Sequence, residues 1–252
     1  MAQQEQFLQA ALNGDVAMIK TYLDTACQAP QSCRWPLEIR LKAFINTPSV
    51  EIADMLLKTG ITDVNACIVT DKLEEKYRLC ETTNALIVAV LKNNVNKVQW
   101  LLGQSANFNK PYLYEVWDAK GHRKGSRSVF GLACEGDCIE IAGLLCAAGV
   151  NIDTKDSDGQ TALFGAIRCE RIKIVKFLLD NGADVNVKDV EGKTPLYWAL
   201  KGGNIEITQL LVATGADVNM KVNDYSPLYW ALEYWKHYDI ATFLKSAGAK
   251  GE

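Results

Sequence analysis

Residues 193–219 read KTPLYWALKGGNIEITQLLVATGADVN, and two other stretches of the chain repeat this pattern. Residues 160–186 read QTALFGAIRCERIKIVKFLLDNGADVN, and residues 226–250 read SPLYWALEYWKHYDIATFLKSAGAK. Leu163 and Leu196 hold the same place in their stretches and are 33 residues apart. A fixed period of this length predicts a stacked array of short structural repeats.

Each of these stretches contains the signals of two short helices. Thr194 can cap the first helix, and Pro195 suits its first position because a proline lacks the N–H that would be unpaired there. Gly202 and Gly203 end this helix, since glycine adopts the left-handed backbone that a helix end often requires. A second, amphipathic helix over 205–214 follows. One such unit cannot bury its apolar face alone, so it needs stacked neighbours.

Weaker copies of the same pattern extend toward the N-terminus. With the three stretches above, the predicted units are approximately 5–24, 39–65, 83–109, 128–153, 160–186, 193–219 and 226–250. Three insertions interrupt the period, at approximately 24–38, 66–82 and 110–127. We therefore expect a single repeat domain that spans 1–252, with no separate second domain.

The motifs at both ends of a unit resemble those of a known family. The Thr-Pro-Leu opening at 194–196 and the Gly-Ala-Asp-Val-Asn closing at 215–219 resemble ankyrin repeats. The resemblance is clearest over 128–250 and continues through 1–109. It implies an all-α solenoid of about seven helix-turn-helix units, and it implies a protein whose usual role is to bind another protein.

The insertion at 110–127 has the composition of a binding segment. Its first half alternates like a β-strand and Gly121 can turn a hairpin, which predicts an extended β-finger or a long loop. Its second half is basic, and Tyr, Trp and Arg often dominate the energetics of interfaces. The partner-binding residues predicted here are Tyr112, Tyr114, Trp117, Arg123, Lys124 and Arg127. In the alternative, the aromatic residues pack back against the repeats and the basic half is merely solvated.

The family resemblance also implies which residues line a concave binding groove. They occupy the variable positions at the ends of the first helices, and they are Glu135, Arg168, Lys201, Glu233 and Tyr234. Trp198 and Trp230 match a position that normally packs between repeats, so we expect both in the core. The segment from Glu233 onward lacks the expected helix-ending glycine, which predicts a last unit that is one residue longer.

The sequence lacks the patterns of catalytic and metal-binding sites. His122 and His237 are the two histidines of the chain, which leaves little material for acid–base chemistry at neutral pH. There is no nucleophile elbow, no phosphate-binding Gly-Lys-Ser/Thr loop and no Cys-x-x-Cys pair. We therefore expect a protein that is not an enzyme and that uses neither a cofactor nor a metal.

The eight cysteines do not follow a disulfide framework. We interpret most of them as reduced, packed thiols of an intracellular protein. Cys27 and Cys33 flank a loop and are the pair to test for oxidation. The expected location is the cytoplasm, either of the producing cell or of a host if the protein is a secreted effector.

Charge and hydropathy favour a protein partner over nucleic acid or membrane. The net charge of −3 gives no general attraction to anionic polymers or lipids. No apolar run approaches the ~20 residues of a membrane span, and the N-terminus has no signal-peptide pattern. We expect a monomer in the absence of the partner.

The predicted function is a non-enzymatic protein-interaction module that uses a concave groove and inserted loops. Two more specific roles remain open. An inhibitor or immunity-type protein would block a partner enzyme or toxin in a tight one-to-one complex. A bacterial effector or adaptor would recruit a host protein with moderate affinity and without loss of its activity.

Overall fold

The structure is a computed structural model that is mostly helical in its described part. The described residues are 2–28, 36–59, 61, 63–66, 84–118 and 121–251. Within them, the description covers the backbone without the side chains at residues 2, 25–28, 114–118 and 121–124. The chain divides into two compact units, Met1–Lys124 and Gly125–Glu252.

In its described part, the first unit contains three helix pairs. They are α1 (Ala2–Asn13) with α2 (Val16–Gln28), α3 (Leu37–Asn46) with α4 (Val50–Lys58), and α5 (Ala85–Leu91) with α6 (Val95–Gly103). The two helices of each pair contact each other. The first helix α3 also contacts α1 and α5, whereas the second helix α4 contacts α2 and α6. First helices and second helices therefore form two separate layers.

The second unit, taken by itself, has the same kind of arrangement, with four helix pairs in its described residues. They are α7 (Val129–Glu135) with α8 (Ile139–Ala147), α9 (Ala162–Arg168) with α10 (Ile172–Asp180), α11 (Pro195–Gly202) with α12 (Ile205–Ala213), and α13 (Pro227–Tyr229) with α14 (Tyr238–Ser246). A π-helical segment, Trp230–Tyr234, directly continues α13. Helix α9 contacts α7 and α11, and α10 contacts α8 and α12. The predicted all-α fold of stacked helix-turn-helix repeats is confirmed.

The last repeat is one residue longer than its neighbour, as its sequence predicts. Thr194 caps α11, and Gly203, nine positions later, ends it with a left-handed φ of 68°. Ser226 caps α13, and the equivalent left-handed residue, Lys236, comes ten positions later with a φ of 58°. The helix accommodates the additional residue as its π-helical segment. Such π-turns are frequent at functional sites.

Asparagine side chains join successive repeats within the second unit. Oδ1 of Asn186 accepts a hydrogen bond from the backbone N–H of Asp217 at 2.9 Å, and its Nδ2 donates to the carbonyl of Gly215 at 3.0 Å. Asn219 bonds the last repeat in the same way, accepting from the N–H of Lys250 at 2.8 Å. These bonds hold the turns of neighbouring repeats in register.

A lysine is buried in the first unit at the end of α3. Lys97 is 1% exposed, and its Nζ donates to the carbonyl oxygens of Phe44 at 2.9 Å, Ile45 at 3.0 Å and Thr47. The C-terminal carbonyls of a helix lack intrahelical partners and favour a cation. Burial lowers the pKa of Lys97 to about 7, and repulsion from Lys92 acts in the same direction.

The insertion at 110–127 contains two strands. They are β1 (Tyr112–Asp118) and β2 (Gly121–Arg127), which pair in a two-stranded sheet. The predicted strand character is confirmed, and Gly121 is the first residue of β2. The connection at residues 119–120 lies outside the described residues, as do residues 29–35 of the first insertion and residues 67–82 of the second.

The extent of the domain stays a prediction. A single domain over 1–252 was expected, and the helix pairs group into the two compact units given above. Among the helices in the described ranges, none is both long and apolar enough to cross a membrane.

Candidate functional site

The first helices of the second unit bring the predicted groove residues into equivalent positions. Glu135, Arg168, Lys201 and Glu233 each follow the capping residue of their repeat by seven positions, and Tyr234 follows Glu233. Because α9 packs between α7 and α11, and α11 packs against the π-helical segment, these positions succeed one another from repeat to repeat. We call these five residues the first-helix row.

At one end of the first-helix row, two arginines hold Glu135. Nη1 of Arg127 bonds the Glu135 carboxylate, and Nη2 of Arg168 lies 3.6 Å from its Oε1. A Cβ atom at Gly165 would lie 2.7 Å from the same oxygen, so Glu135 packs directly over this glycine. The side chains of Arg127 and Glu135 are 25% and 19% exposed. These charged side chains are therefore paired with each other inside the protein.

A small polar cavity lies beside this ion pair. It has a volume of about 10 Å³ and is lined by Arg127, Glu135, Asp156 and Thr161, among others. The hydroxyl of Thr161 has no hydrogen-bond partner among the described residues, and burial raises the pKa of Asp156. A cavity of this size has room for about one water molecule at most. It is too small to receive a substrate.

Further along the row, Trp198 lies at the centre of a group of cations. The centroid of its ring lies 4.7 Å from Nζ of Lys201, 5.5 Å from Nζ of Lys193 and 5.8 Å from Cζ of Arg168. All three distances are within the ~6 Å range of cation–π attraction. Nε1 of Trp198 donates to Oδ2 of the buried Asp189 at 3.3 Å. A hydrogen bond thus fixes one edge of the indole, and three cations lie near its ring.

The cations around Trp198 differ in how they are neutralised. Lys193 bonds the carboxylate of Glu191, and this hydrogen bond raises the pKa of Lys193, so the ammonium stays charged at neutral pH. Arg168 shares Glu135 with a second arginine. Lys201 is exposed and forms no ion pair with a carboxylate in the described part of the chain.

Six further aromatic rings form a continuous cluster next to Trp198. They belong to Tyr197, Tyr225, Tyr229, Trp230, Tyr234 and Trp235. The buried Trp230 contacts the other five with centroid separations from 5.0 to 6.0 Å, and its Nε1 donates to the carbonyl of Val222 at 3.2 Å. Tyr225 is 40% exposed and Tyr234 is 64% exposed. The cluster therefore has a rigid centre and an exposed aromatic edge.

The side chains of the hairpin residues predicted to bind a partner are described only in part. Tyr112 is 2% exposed, so its ring packs inside the protein instead of facing a partner. This residue follows the alternative in which the aromatic residues pack back. The side chains of Tyr114, Trp117, Arg123 and Lys124 lie outside the described part of the structure, and their role stays a prediction.

Two features of this surface were not found from the sequence. The first is the partial exposure of Trp198, which was expected in the core but is half-buried with three cations near its ring, whereas Trp230 is buried as expected. The second is the exposure of Tyr225. Lys201 follows Trp198 by three positions, a spacing that places both side chains on one helix face. That spacing was the available signal. Tyr225 precedes the repeat motif and carried no signal of exposure.

Three of the four thiols in the described side chains are poorly suited to nucleophilic chemistry and to metal binding. Cys134, Cys138, Cys146 and Cys169 are free, and burial raises the pKa of the first three. A thiol with a raised pKa remains protonated and is a poor nucleophile and ligand. Within the described ranges, no group of three potential metal ligands occurs. The predicted pair Cys27 and Cys33 lies outside the described side chains.

Comparison with known proteins identifies the repeats. The family model of ankyrin repeats (3 copies) matches residues 111–189 and 186–252, which together exceed half of the chain. A search of curated proteins found none that matches this sequence.

Proposed function

This chain belongs to the ankyrin-repeat protein family, and we propose that it is a non-enzymatic module that binds a partner protein through the first-helix row. Ankyrin repeats generally mediate protein–protein interactions. The observation that carries the proposal is the exposed aromatic and cationic surface on the last repeats. Its components are the exposed Tyr225 and Tyr234 and the cations around Trp198.

The aromatic cluster has the properties of an interface anchor. Tyrosine and tryptophan offer large contact areas with few rotatable bonds, and they are enriched among residues that dominate binding energies. Their order here is high because Trp230 packs against five other rings and Asp189 holds the indole of Trp198. A surface that is already ordered loses little conformational entropy when a partner binds.

The hairpin contributes a second contact region in this proposal. Trp117, Arg123 and Lys124 lie on β1 and β2, and their residue types suit an interface. Arg127, at the end of β2, bonds Glu135 of the first-helix row.

We place the protein in the cytoplasm, either of its own cell or of a host cell. The free cysteines with raised pKa values suit a reducing compartment, in which thiols persist. The partner is a protein rather than a nucleic acid or a membrane in this proposal, and the unbound protein is a monomer. The net charge of −3 supports this choice of partner.

The test is affinity capture from the native source with three versions of the chain. The first is the wild type, and the second is a row variant, Arg168→Ala/Lys201→Ala/Tyr234→Ala. The third is a matched control that removes two exposed lysines and one exposed tyrosine from second helices. This control is Lys176→Ala/Lys245→Ala/Tyr238→Ala.

The proposal predicts that one protein is retained by the wild type and by the control and lost with the row variant. Circular dichroism checks that all three chains are equally helical. Retention by all three chains would show that the row does not bind the partner. A parallel Trp117→Ala/Arg123→Ala variant tests the hairpin. An assay of the captured protein's activity then separates an inhibitor, which abolishes that activity, from an adaptor, which preserves it.

A further inference from the structure

We infer that the partner segment bound at the first-helix row is acidic and places a carboxylate beside Lys201, within the group of cations around Trp198. The inferred partner class rests on the proposed function, because it names the chemistry of the protein that the row recognises. Three observations carry it: the convergence of positive groups on one ring, the positions of the neighbouring carboxylates, and the adjoining aromatic edge.

Positive groups converge on the ring of Trp198 from three different places in the chain. Lys201 lies on α11, Lys193 precedes that helix, and Arg168 ends α9 in the preceding repeat. Since each charged group lies within 6 Å of one ring centroid, the three repel one another. A negative group bound among these cations would relieve this repulsion and would interact with more than one cation at once.

Among the described side chains, the carboxylates near Trp198 are held elsewhere. Asp189 is buried at the Nε1 edge of Trp198, where it also accepts backbone N–H bonds of its own turn. Glu191 bonds Lys193, and Glu135 lies over Gly165 between its two arginines. The side chain that approaches the ring most closely, Lys201, is the one that forms no ion pair in the described residues. The position beside Lys201 therefore suits a carboxylate from outside.

The exposed aromatic ring of Tyr234 indicates which kind of partner side chain lies next to the partner's carboxylate. Tyr234 packs against Trp230 and Trp235 at 5.0 and 5.6 Å, and most of its ring surface remains exposed. An apolar side chain of the partner can pack on this ring, while Glu233 repels a second acidic group there. The surface thus fits a segment in which acidic residues are followed by an apolar one.

Single-stranded nucleic acid fits this surface less well, although stacking aromatic residues and cations are common in its binding sites. Nucleic-acid sites extend positive charge along a phosphate backbone. Here the cations surround a single ring, and the next position of the row is the acidic Glu233. An acidic protein segment matches a positive region of this limited size.

The first experiment measures binding of fluorescein-labelled peptides by fluorescence anisotropy at low salt. Three peptides of equal length repeat Glu-Glu-Leu, Gln-Gln-Leu or Lys-Lys-Leu, and a single-stranded RNA of the same length serves as the fourth probe. The acidic peptide is expected to bind most tightly and to weaken as salt is raised. Tighter binding of the neutral or basic peptide overturns the inference, and tighter binding of RNA assigns the surface to nucleic acid instead.

The second experiment assigns acidic-peptide binding to Trp198 and its neighbours. Arg168→Glu/Lys201→Glu reverses two of the cations, and Lys176→Glu/Lys245→Glu makes the same charge change on second helices. The first variant is expected to weaken binding of the acidic peptide about tenfold or more, because two attractive pairs become repulsive. The second is expected to stay within about twofold of the wild type, since surface pairs at a distance are screened. Equal weakening by both variants overturns the inference.

The protein recovered by affinity capture separates this inference from the proposed function. In one outcome, the captured protein is lost with Arg168→Ala/Lys201→Ala/Tyr234→Ala but binds Arg168→Glu/Lys201→Glu as tightly as the wild type. The row then binds this protein, but not through the acidic groups of that partner. The proposed function then stands and the inferred partner class falls. Loss of the captured protein with both variants, and not with Lys176→Glu/Lys245→Glu, supports both.

Discussion

Replacing Trp230 by alanine is expected to destabilise the last repeat far more than the rest of the protein. The side chain is buried, contacts five other aromatic rings and donates a hydrogen bond to the carbonyl of Val222. Replacing a buried tryptophan by alanine costs about 3–5 kcal/mol. Loss of the hydrogen bond contributes to this cost. We therefore expect a total of about 4 kcal/mol, or roughly a thousandfold change in the local opening equilibrium.

This cost is expected to fall on the end of the array, because repeats contact only their neighbours. Hydrogen–deuterium exchange measures it directly. Amides of the π-helical segment and α14 should exchange roughly a thousandfold faster in Trp230→Ala, and those of α8 and α10 should change little. Trp230→Phe keeps an aromatic ring and should cost about 1–2 kcal/mol. Tyr238→Ala, at an exposed ring, should cost below ~0.5 kcal/mol. Uniform acceleration in α7–α14, or less than about tenfold acceleration in α14, would refute the reasoning.

Three other perturbations test the structure. The pKa of Lys97 falls from 10.5 to about 7 on folding, so between these pH values the unfolded chain binds more protons. The unfolding free energy of the wild type, relative to that of Lys97→Met, should therefore rise with pH by up to ~1.4 kcal/mol per pH unit. Urea titrations from pH 7 to 10 measure this difference between the two proteins, and a difference that does not change with pH would contradict the lowered pKa. Thr194→Ala removes the cap of α11 and should cost about 1 kcal/mol by urea unfolding, whereas no loss would mean that the cap is not formed. Asn186→Ala removes two bonds between successive repeats and should cost about 1 kcal/mol, with faster exchange at the N–H of Asp217; an unchanged exchange rate there would argue against the bond.

The repeat fold could be predicted from the sequence because its signals are local. Thr194 and Pro195 specify the start of α11, and the left-handed Gly203 specifies its end. The absence of a glycine at the corresponding place in the last unit indicated an additional residue. What the sequence did not specify was how a helix accommodates it, namely by a π-helical segment at Trp230–Tyr234.

The environments of single side chains were less predictable because they depend on contacts distant in sequence. Lys97 follows the helical pattern of α6, but its burial depends on the C-terminal carbonyls of α3, about 50 residues earlier. Trp198 matches a position that packs between repeats, yet Arg168 and Lys193 reach its ring from outside α11. Tyr112 has an interface-like sequence context and is buried. A periodic pattern identifies faces of helices, whereas these outcomes depend on which side chains meet between elements.

The most direct test of partner binding at the first-helix row is hydrogen–deuterium exchange of this protein with and without its captured partner. Binding at the row predicts slower exchange at the end of α9, at the end of α11 and in the π-helical segment, with unchanged exchange in the second helices α8, α10 and α12. Protection confined to those second helices would contradict the account, because it would place the partner on the opposite layer.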